Sequence, residues 1–297
     1  MNPIPEMFKQ AQVALAAYAN LSPNGSNADA LIGAGLSPNQ VIKFEQSWRV
    51  VDQYPGPSGL SATVFEEVST GKRYLAIRGT EASDLSDVWT DIVDIVLFGT
   101  PERQAQYAAL KTKVMQWQGN GTLPSLFAVA GHSLGGFLAG ALLVDFPTQI
   151  EHAYLYNAPG VGGLSAALRL LLGIDTLPSL DLGKVSNVRG DAGVSPIAGL
   201  GIAWGTPIPI VIENQLAPDV QGAPAALNHS QQVLADALAI FDLYSRIDGN
   251  LDVSKIGAIV KAVTNRNAQT LETSLDVLRH LFSLPSAASV APTPIEF

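Results

Sequence analysis

The segment Gly131-His132-Ser133-Leu134-Gly135-Gly136 decides the fold of this chain, because an apolar run leads into it and a helix-forming run follows it. Residues 126–130 are predicted to form a buried strand, and residues 137–143 belong to the helix that follows. The segment matches the G-x-S-x-G pattern in the strand–turn–helix setting that this pattern requires. So tight a turn strains the serine backbone and leaves no room for Cβ atoms on its neighbours. We therefore identify Ser133 as the candidate nucleophile.

The composition indicates a folded, acidic protein. Hydrophobic residues make up 47% of the 297 residues, which is enough to bury a substantial core. The chain contains no cysteine, which excludes disulfides, thiol nucleophiles and cysteine metal sites. Its formal net charge of −9 argues against a nucleic-acid partner.

The sequence gives no sign of a membrane anchor. Residues 1–9 lack the basic region and apolar run of a conventional signal peptide. No apolar stretch reaches the ~18–20 residues that span a bilayer. We predict a soluble protein without a transmembrane segment that contacts a membrane or lipid interface only transiently. It would be cytoplasmic, or exported by a route that uses no conventional signal peptide.

Alternating strand and helix patterns predict a single α/β domain over residues 1–297. Such alternation implies a mostly parallel central sheet with helices on both faces. Strands are predicted at 48–54, 62–68, 73–78, 127–130, 152–157 and 184–189, with helices at 104–118 and 134–145. An N-terminal helix is predicted at 5–19, a core at about 48–247, a C-terminal helical extension at about 252–284 and a mobile tail at 285–297.

A serine nucleophile needs a base, and the chain has four histidines to choose from. His132 lies inside the turn, where its side chain should point away from that of Ser133. His152 precedes a strand, which places it at the wrong edge of a parallel sheet, and His280 belongs to the last helix. His229 lies in a loop that opens into a helix far downstream of the nucleophile. We therefore predict His229 as the base.

The base needs an orienting acid, which by chain order in such enzymes lies between nucleophile and base. The acidic residues considered are Asp175, Asp181, Asp191, Glu213 and Asp219. Asp191 follows a strand-like segment and a glycine, the loop position that a catalytic acid requires. Asp175 and Asp181 lie instead in a segment rich in leucine and proline. Asp191 is the predicted acid.

The oxyanion formed during acyl transfer needs preorganised N–H donors. The backbone amide of Leu134, directly after the nucleophile, is one candidate. Thr80 is the other, because it follows the predicted strand at 73–78 and offers both an amide and a hydroxyl.

Several segments together resemble the class 3 lipase family. They are Arg78-Gly79-Thr80, Asp87-Val88-Trp89-Thr90-Asp91, the Ser133 turn, Asn157-Ala158-Pro159-Gly160, Asn187-Val188-Arg189-Gly190-Asp191, and 228–238. The last of these is also similar to the catalytic domain of large bacterial exported lipases and phospholipases, and the resemblance covers roughly residues 50 to 245. It implies an α/β-hydrolase fold, a Ser133–Asp191–His229 triad and an oxyanion hole of Thr80 and Leu134.

The chain departs from those bacterial relatives in lacking calcium-binding repeats. Residues 248–252 are only superficially similar to a calcium loop, since Val253 and Ile259 stand where glycine and glutamate are needed. A polar turn is predicted there, and neither a metal nor a cofactor is expected.

We expect a serine hydrolase of lipid carboxylic esters, of the triacylglycerol lipase type. Phospholipase A1 action on membrane phospholipids and carboxylesterase action on shorter soluble esters remain alternatives. A non-catalytic hydrolase fold and a membrane-disrupting toxin are rivals of another class. Some apolar residues are candidates for a lid or an acyl-binding wall: Val93, Val96, Leu97, Phe98, Leu171, Leu172 and Trp204. Ordinary core packing explains these apolar residues equally well.

Overall fold

A seven-stranded sheet forms the centre of the computed structural model, which describes residues 2–79, 101–160, 181–191, 203–212 and 229–263. Spatial order follows chain order from β1 to β7. The strands are β1 Trp48–Pro55, β2 Ser61–Glu67, β3 Arg73–Ile77, β4 Phe127–His132, β5 Ile150–Tyr156, β6 Val185–Gly190 and β7 Pro207–Ile210.

The sheet is antiparallel at one end and parallel over the rest. β2 pairs antiparallel with both β1 and β3, whereas β3 to β7 pair in parallel. In that parallel part, Gly131 is in register with Ile77 on one side and Leu155 on the other. The carboxyl ends of β3, β4, β5 and β6 therefore meet at one edge of the sheet, where functional loops gather in open α/β folds.

Helices cover both faces of the sheet. They are α1 Ile4–Ala16, α2 Ala28–Gly33, α3 Pro38–Ser47, α4 Pro101–Gly119, α5 Leu134–Asp145, α6 Gln231–Ile247 and α7 Val253–Val263, with a 3₁₀ turn at Leu182–Lys184. The core on one face contains buried residues of α1 and α6, and the core on the other contains those of α4 and α5. This arrangement confirms the predicted α/β class, its mostly parallel sheet and its helices on both faces.

The alternation of side chains along β5 assigns its residues to the two cores. Tyr156 belongs to the α1 face, where its hydroxyl donates to the carbonyl of Met7 at 2.6 Å, while Leu155 packs on the α5 face. On the first face α1 and α6 lie side by side, and the Gln231 side chain donates to the carbonyl of Ala11 at 3.0 Å. Tyr18, two residues after the end of α1, reaches the carboxyl end of β4, where its hydroxyl lies 2.7 Å from Nδ1 of His132.

Two α-helices and one strand escaped the sequence analysis: α2, α3 and β7. The signal for α3 was present, because Ser37 and Gln40 form a capping box and Pro38 occupies the first turn. β7 was not predicted because it contains Pro207 and Pro209, and proline is unfavourable in most strands. A strand at the edge of the described sheet tolerates these residues. The predicted division into one domain stays a prediction.

Candidate active site

Ser133 occupies a strained turn between β4 and α5. Its backbone has φ 55° and ψ −126°, a left-handed conformation that costs a non-glycine residue energy. The neighbouring glycines make the turn possible, since a Cβ on Gly131 would lie 2.7 Å from the Gly136 nitrogen and still closer to the Gly135 carbonyl. A Cβ on Gly135 would collide with the carbonyl of Ile77. The geometry is that expected of a nucleophile held above a sheet edge.

The end of β3 lies directly against this turn. A Cβ on Gly79 would stand 2.5 Å from the carbonyl oxygen of His132, 2.7 Å from the Tyr18 hydroxyl and 3.1 Å from the Ser133 Cβ. The predicted oxyanion residue Thr80 comes next in the chain but lies outside the described residues. Its oxyanion role stays a prediction, although its chain neighbour Gly79 lies so near Ser133 that a side chain there would crowd it.

The other predicted oxyanion donor, Leu134, is the first residue of α5. Helix N-termini carry amide N–H groups without an intrahelical partner, together with the positive end of the helix dipole. The Ser133 side chain does not cap this helix. An amide donor and the nucleophile are thus neighbours, while the oxyanion role of Leu134 stays a prediction.

His229 is brought to the turn through His132. The two imidazole rings are 4.8 Å apart between centroids, and both residues are buried. The Nε2 atom of His132 lies 2.7 Å from the carbonyl oxygen of His229, and its Nδ1 lies 2.7 Å from the Tyr18 hydroxyl. The structure therefore places the predicted base against the residue that precedes the nucleophile.

These contacts fix the tautomer of His132. A carbonyl can only accept, so Nε2 of His132 carries the proton that is donated to His229. In a neutral ring Nδ1 is then the acceptor, and the Tyr18 hydroxyl donates to it. The result is a directed chain of hydrogen bonds from Tyr18 through His132 to the backbone of His229.

Burial keeps both histidines neutral. Desolvation lowers the pKa of His132 to about 4, although its hydrogen bond to the His229 backbone opposes the shift. Desolvation also places the pKa of His229 well below its ordinary value, and the nearby His132 lowers it further. A neutral imidazole is the form that can accept a proton from a serine hydroxyl.

Asp191 directly follows β6, as predicted, and its amide donates to the carbonyl of Ile210 at 2.7 Å. The described contact of its carboxylate is with Lys261 of α7, at 2.7 Å between Oδ2 and Nζ. Both side chains are largely exposed, at 43% and 59%. Its role as the triad acid stays a prediction. The rival Asp181 caps the 3₁₀ turn by accepting from the Gly183 amide, which is a local structural role.

The remaining predicted residues fall into two groups. His152 contacts the Ser186 hydroxyl at 2.9 Å within the sheet, and the turn at 248–252 is closed by Asp248, which accepts from the Asn250 amide. Outside the described residues lie Asp87, Trp89, Asp91, Val93, Val96, Leu97, Phe98, Leu171, Leu172, Asp175, Glu213, Asp219 and His280. In the described ranges, no group of three or more acidic or histidine side chains is arranged to hold a metal ion.

Trp204, a candidate for the acyl-binding wall, is a core residue in this structure. Only 1% of it is exposed, its indole N–H donates to the carbonyl of Pro159, and its ring packs edge-on against Phe137. The absence of a side chain at Gly140 creates the space for this ring, because a Cβ there would lie 2.7 Å from it. The structure gives Trp204 no exposed face for an acyl chain.

The sequence analysis did not assign Tyr18 and Asn157 to the site. Tyr18 lies 114 residues before His132, and no local pattern connects them. Asn157 follows β5, is fully buried, and contacts the backbone of His229. Its position after a strand and its tolerance of left-handed backbone were the available signals.

No protein-family model matches this chain, and no curated protein matches it either. Solved structures of fungal lipases share similarity with it. Lip2 lipase from Yarrowia lipolytica is 16% identical, with 70% of this chain and 78% of that chain covered and a TM-score of 0.42. A Rhizomucor miehei lipase propeptide complex is 15% identical, with 79% of this chain and 77% of that chain covered and a TM-score of 0.42. Mono- and diacylglycerol lipase from Aspergillus oryzae is 14% identical, with 80% of this chain and 99% of that chain covered and a TM-score of 0.44.

Likeness at this level concerns the chain trace alone, so functional roles in this chain follow from its own residues. The similarity to bacterial exported enzymes stays a prediction. Across the described part of the chain, no helix combines the length and hydrophobicity needed to cross a membrane.

Proposed function

We propose that this protein is a serine hydrolase that cleaves carboxylic ester bonds of lipids through an acyl-enzyme on Ser133. The backbone of Ser133 carries the proposal: a positive φ at a strand–helix turn is maintained at an energetic cost, and such strain concentrates at functional sites. The proposal is supported by His229, a neutral imidazole whose ring lies against that of His132, and by the N-terminus of α5; they would serve as the base and as an oxyanion donor.

The proposed reaction has two steps. In the first, His229 takes the Ser133 hydroxyl proton while Oγ attacks the ester carbonyl carbon, and the amides of Leu134 and Thr80 hold the oxyanion. The ester C–O bond then breaks, and His229 gives the proton to the departing alcohol oxygen. In the second, water gives a proton to His229 and attacks the acyl carbon, the bond between that carbon and Oγ breaks, and His229 returns the proton to Oγ as the carboxylic acid leaves. Asp191 would orient the imidazole and stabilise its protonated form.

The burial of the site supports this chemistry and bears on the substrate. Ser133 and His229 are each 2% exposed, and hydrogen bonds to a developing oxyanion are stronger where water is excluded. The resemblance to class 3 lipases and the apolar segments favour a lipid ester. Triacylglycerol is the substrate that we propose, with membrane phospholipid cleaved at one acyl position and short soluble esters as alternatives.

A substrate panel tests the proposal. Purified wild type and Ser133→Ala are compared on a short-chain ester, an emulsified triacylglycerol and diacyl phospholipid vesicles, with product analysis to identify the cleaved acyl bond. Ser245→Ala is the matched control, because Ser245 is a buried serine of α6 whose hydroxyl donates to the Asp242 carbonyl. We expect hydrolysis of the emulsion by wild type and Ser245→Ala, and its loss in Ser133→Ala.

The other outcomes are equally informative. Cleavage confined to the phospholipid identifies a phospholipase, and cleavage confined to the short ester identifies a carboxylesterase. Undiminished hydrolysis by Ser133→Ala would refute the serine mechanism. A folded wild type that cleaves no member of the panel would refute the enzymatic function and leave the non-catalytic fold as the better description. Vesicle leakage that persists in Ser133→Ala would instead support the toxin.

A further inference from the structure

Asn157 has a backbone conformation that needs a reason. It follows β5 directly, is fully buried, and has φ 45°, in the left-handed region. Its amide donates to the carbonyl of Val188 in β6 at 2.9 Å. Glycine would adopt this conformation without strain. The presence of asparagine at this position therefore indicates that its side chain has a function.

That side chain joins the two segments that carry the predicted base and acid. Nδ2 donates to the carbonyl oxygen of His229 at 3.3 Å, and Oδ1 accepts from the amide of Gly190 at 3.0 Å. Gly190 immediately precedes Asp191. The orientation of the amide is fixed by its partners, because the carbonyl can only accept and the N–H can only donate.

The chemistry of this bridge is specific to an amide. Aspartate would still accept from Gly190, but an ionised carboxylate has no proton for the carbonyl of His229. His132 also donates to that carbonyl, at 2.7 Å, yet it has no described bond to the segment of Gly190. Asn157 is therefore the described side chain that contacts both segments at once.

We infer that Asn157 is a positioning residue that sets the distance between His229 and Asp191 by bridging the backbone of His229 to that of Gly190, the residue before Asp191; this rests on the proposed function. A bridge between backbones holds the segments that carry the two proposed catalytic side chains and uses neither of those side chains. Small displacements of catalytic groups cost large factors in rate. Loss of the bridge should therefore reduce turnover more than substrate binding.

Asn157→Gly is the informative variant, because glycine accepts the positive φ and removes only the bridge. We expect kcat to fall about 10- to 100-fold with KM nearly unchanged. The acidic limb of the kcat/KM profile should move to lower pH, since an acid that has drifted from His229 stabilises the imidazolium less. Among the described residues, the titratable groups in contact with this pair are His132, with Tyr18 beyond it, and Lys261 on Asp191.

Two further variants separate positioning from a merely structural role. Asn187→Ala is the matched control: Asn187 is a buried β6 asparagine that accepts from the Arg189 side chain at 3.2 Å. It should lower stability and leave the pH profile in place. Asn157→Asp keeps the acceptor for Gly190, and we expect kcat between those of wild type and Asn157→Gly.

The inference would be overturned by an Asn157→Gly protein with wild-type kcat and an unmoved acidic limb. It would equally be overturned if Asn157→Gly and Asn187→Ala lost activity only in proportion to their folded fractions, measured by circular dichroism on the same samples. Failure of the proposed function has a different signature, visible in the wild type or in Ser133→Ala, and overturns both conclusions together.

Discussion

Acidification should destabilise this protein through His132. A pKa lowered from 6.5 to about 4 means that the folded state favours the neutral ring by about 3 kcal/mol. Because the folded-state value lies below the unfolded one, the unfolded chain binds the proton first. This stability is fully present above pH 6.5 and is lost as the pH falls through about 4. Between about pH 7 and about pH 5 the loss from this ring is about 2 kcal/mol.

The measurement is urea unfolding of wild type and His132→Gln at a series of pH values. Glutamine keeps an N–H donor for the His229 carbonyl and does not titrate, so its free energy of unfolding should vary less with pH, by about 2 kcal/mol over the same interval. The lowered pKa of His229 acts in the same direction, and burial, the larger cause of that shift, is present in both proteins. If His132→Gln does not fold, an NMR titration of the wild-type ring provides the same information. Parallel pH dependences in the two proteins, or a His132 ring that titrates near 6.5, would refute the reasoning.

Two further predictions concern the packing and strain of α5 and its turn. Gly140→Ala should lower the free energy of unfolding by about 1–3 kcal/mol, because the new Cβ meets the Trp204 ring at 2.7 Å. Gly119→Ala is the control and should not destabilise the protein, because a Cβ there meets nothing within 4 Å. Equal losses of unfolding free energy in the two variants, measured by urea unfolding, would contradict this prediction. Ser133→Gly should be about 1 kcal/mol more stable than Ser133→Ala, since glycine relieves the strain at φ 55°. Thermal unfolding of the two variants decides, and equal midpoints would show that the turn stores no such strain.

The parts of the fold that were predictable from sequence are those set by local patterns. The strand before Ser133 and the helix after it follow from a short apolar run, two glycines and a run of helix formers, all within about 20 residues. The mostly parallel character of the sheet also followed, since apolar strands alternating with helices form parallel sheets. β7 was missed because Pro207 and Pro209 break the local pattern, and only its place at the edge of the described sheet makes them acceptable.

The candidate site was predictable to the extent that chain order constrains it. His229 was selected among four histidines by its position before a helix, and the structure places it beside the turn that carries Ser133. Tyr18 and Asn157 were not selected, because their contacts join residues 114 and 72 positions apart. Such contacts depend on how α1 and β5 meet at the sheet edge, which no local pattern encodes.

Contacts between residues far apart in the chain also explain where this molecule has strained backbone and buried polar side chains. Ser133 and Asn157 are the described non-glycine residues with positive φ at the carboxyl edge of the sheet, and they follow the adjacent strands β4 and β5. Each is held by partners from elsewhere in the chain: Ser133 by the close approach of Gly79, Asn157 by His229 and Gly190. Strained conformations persist only where surrounding structure fixes them. In the proposed mechanism, the sheet edge that presents Ser133 therefore also holds, through the contacts of Asn157, the segments of the proposed base and the proposed acid.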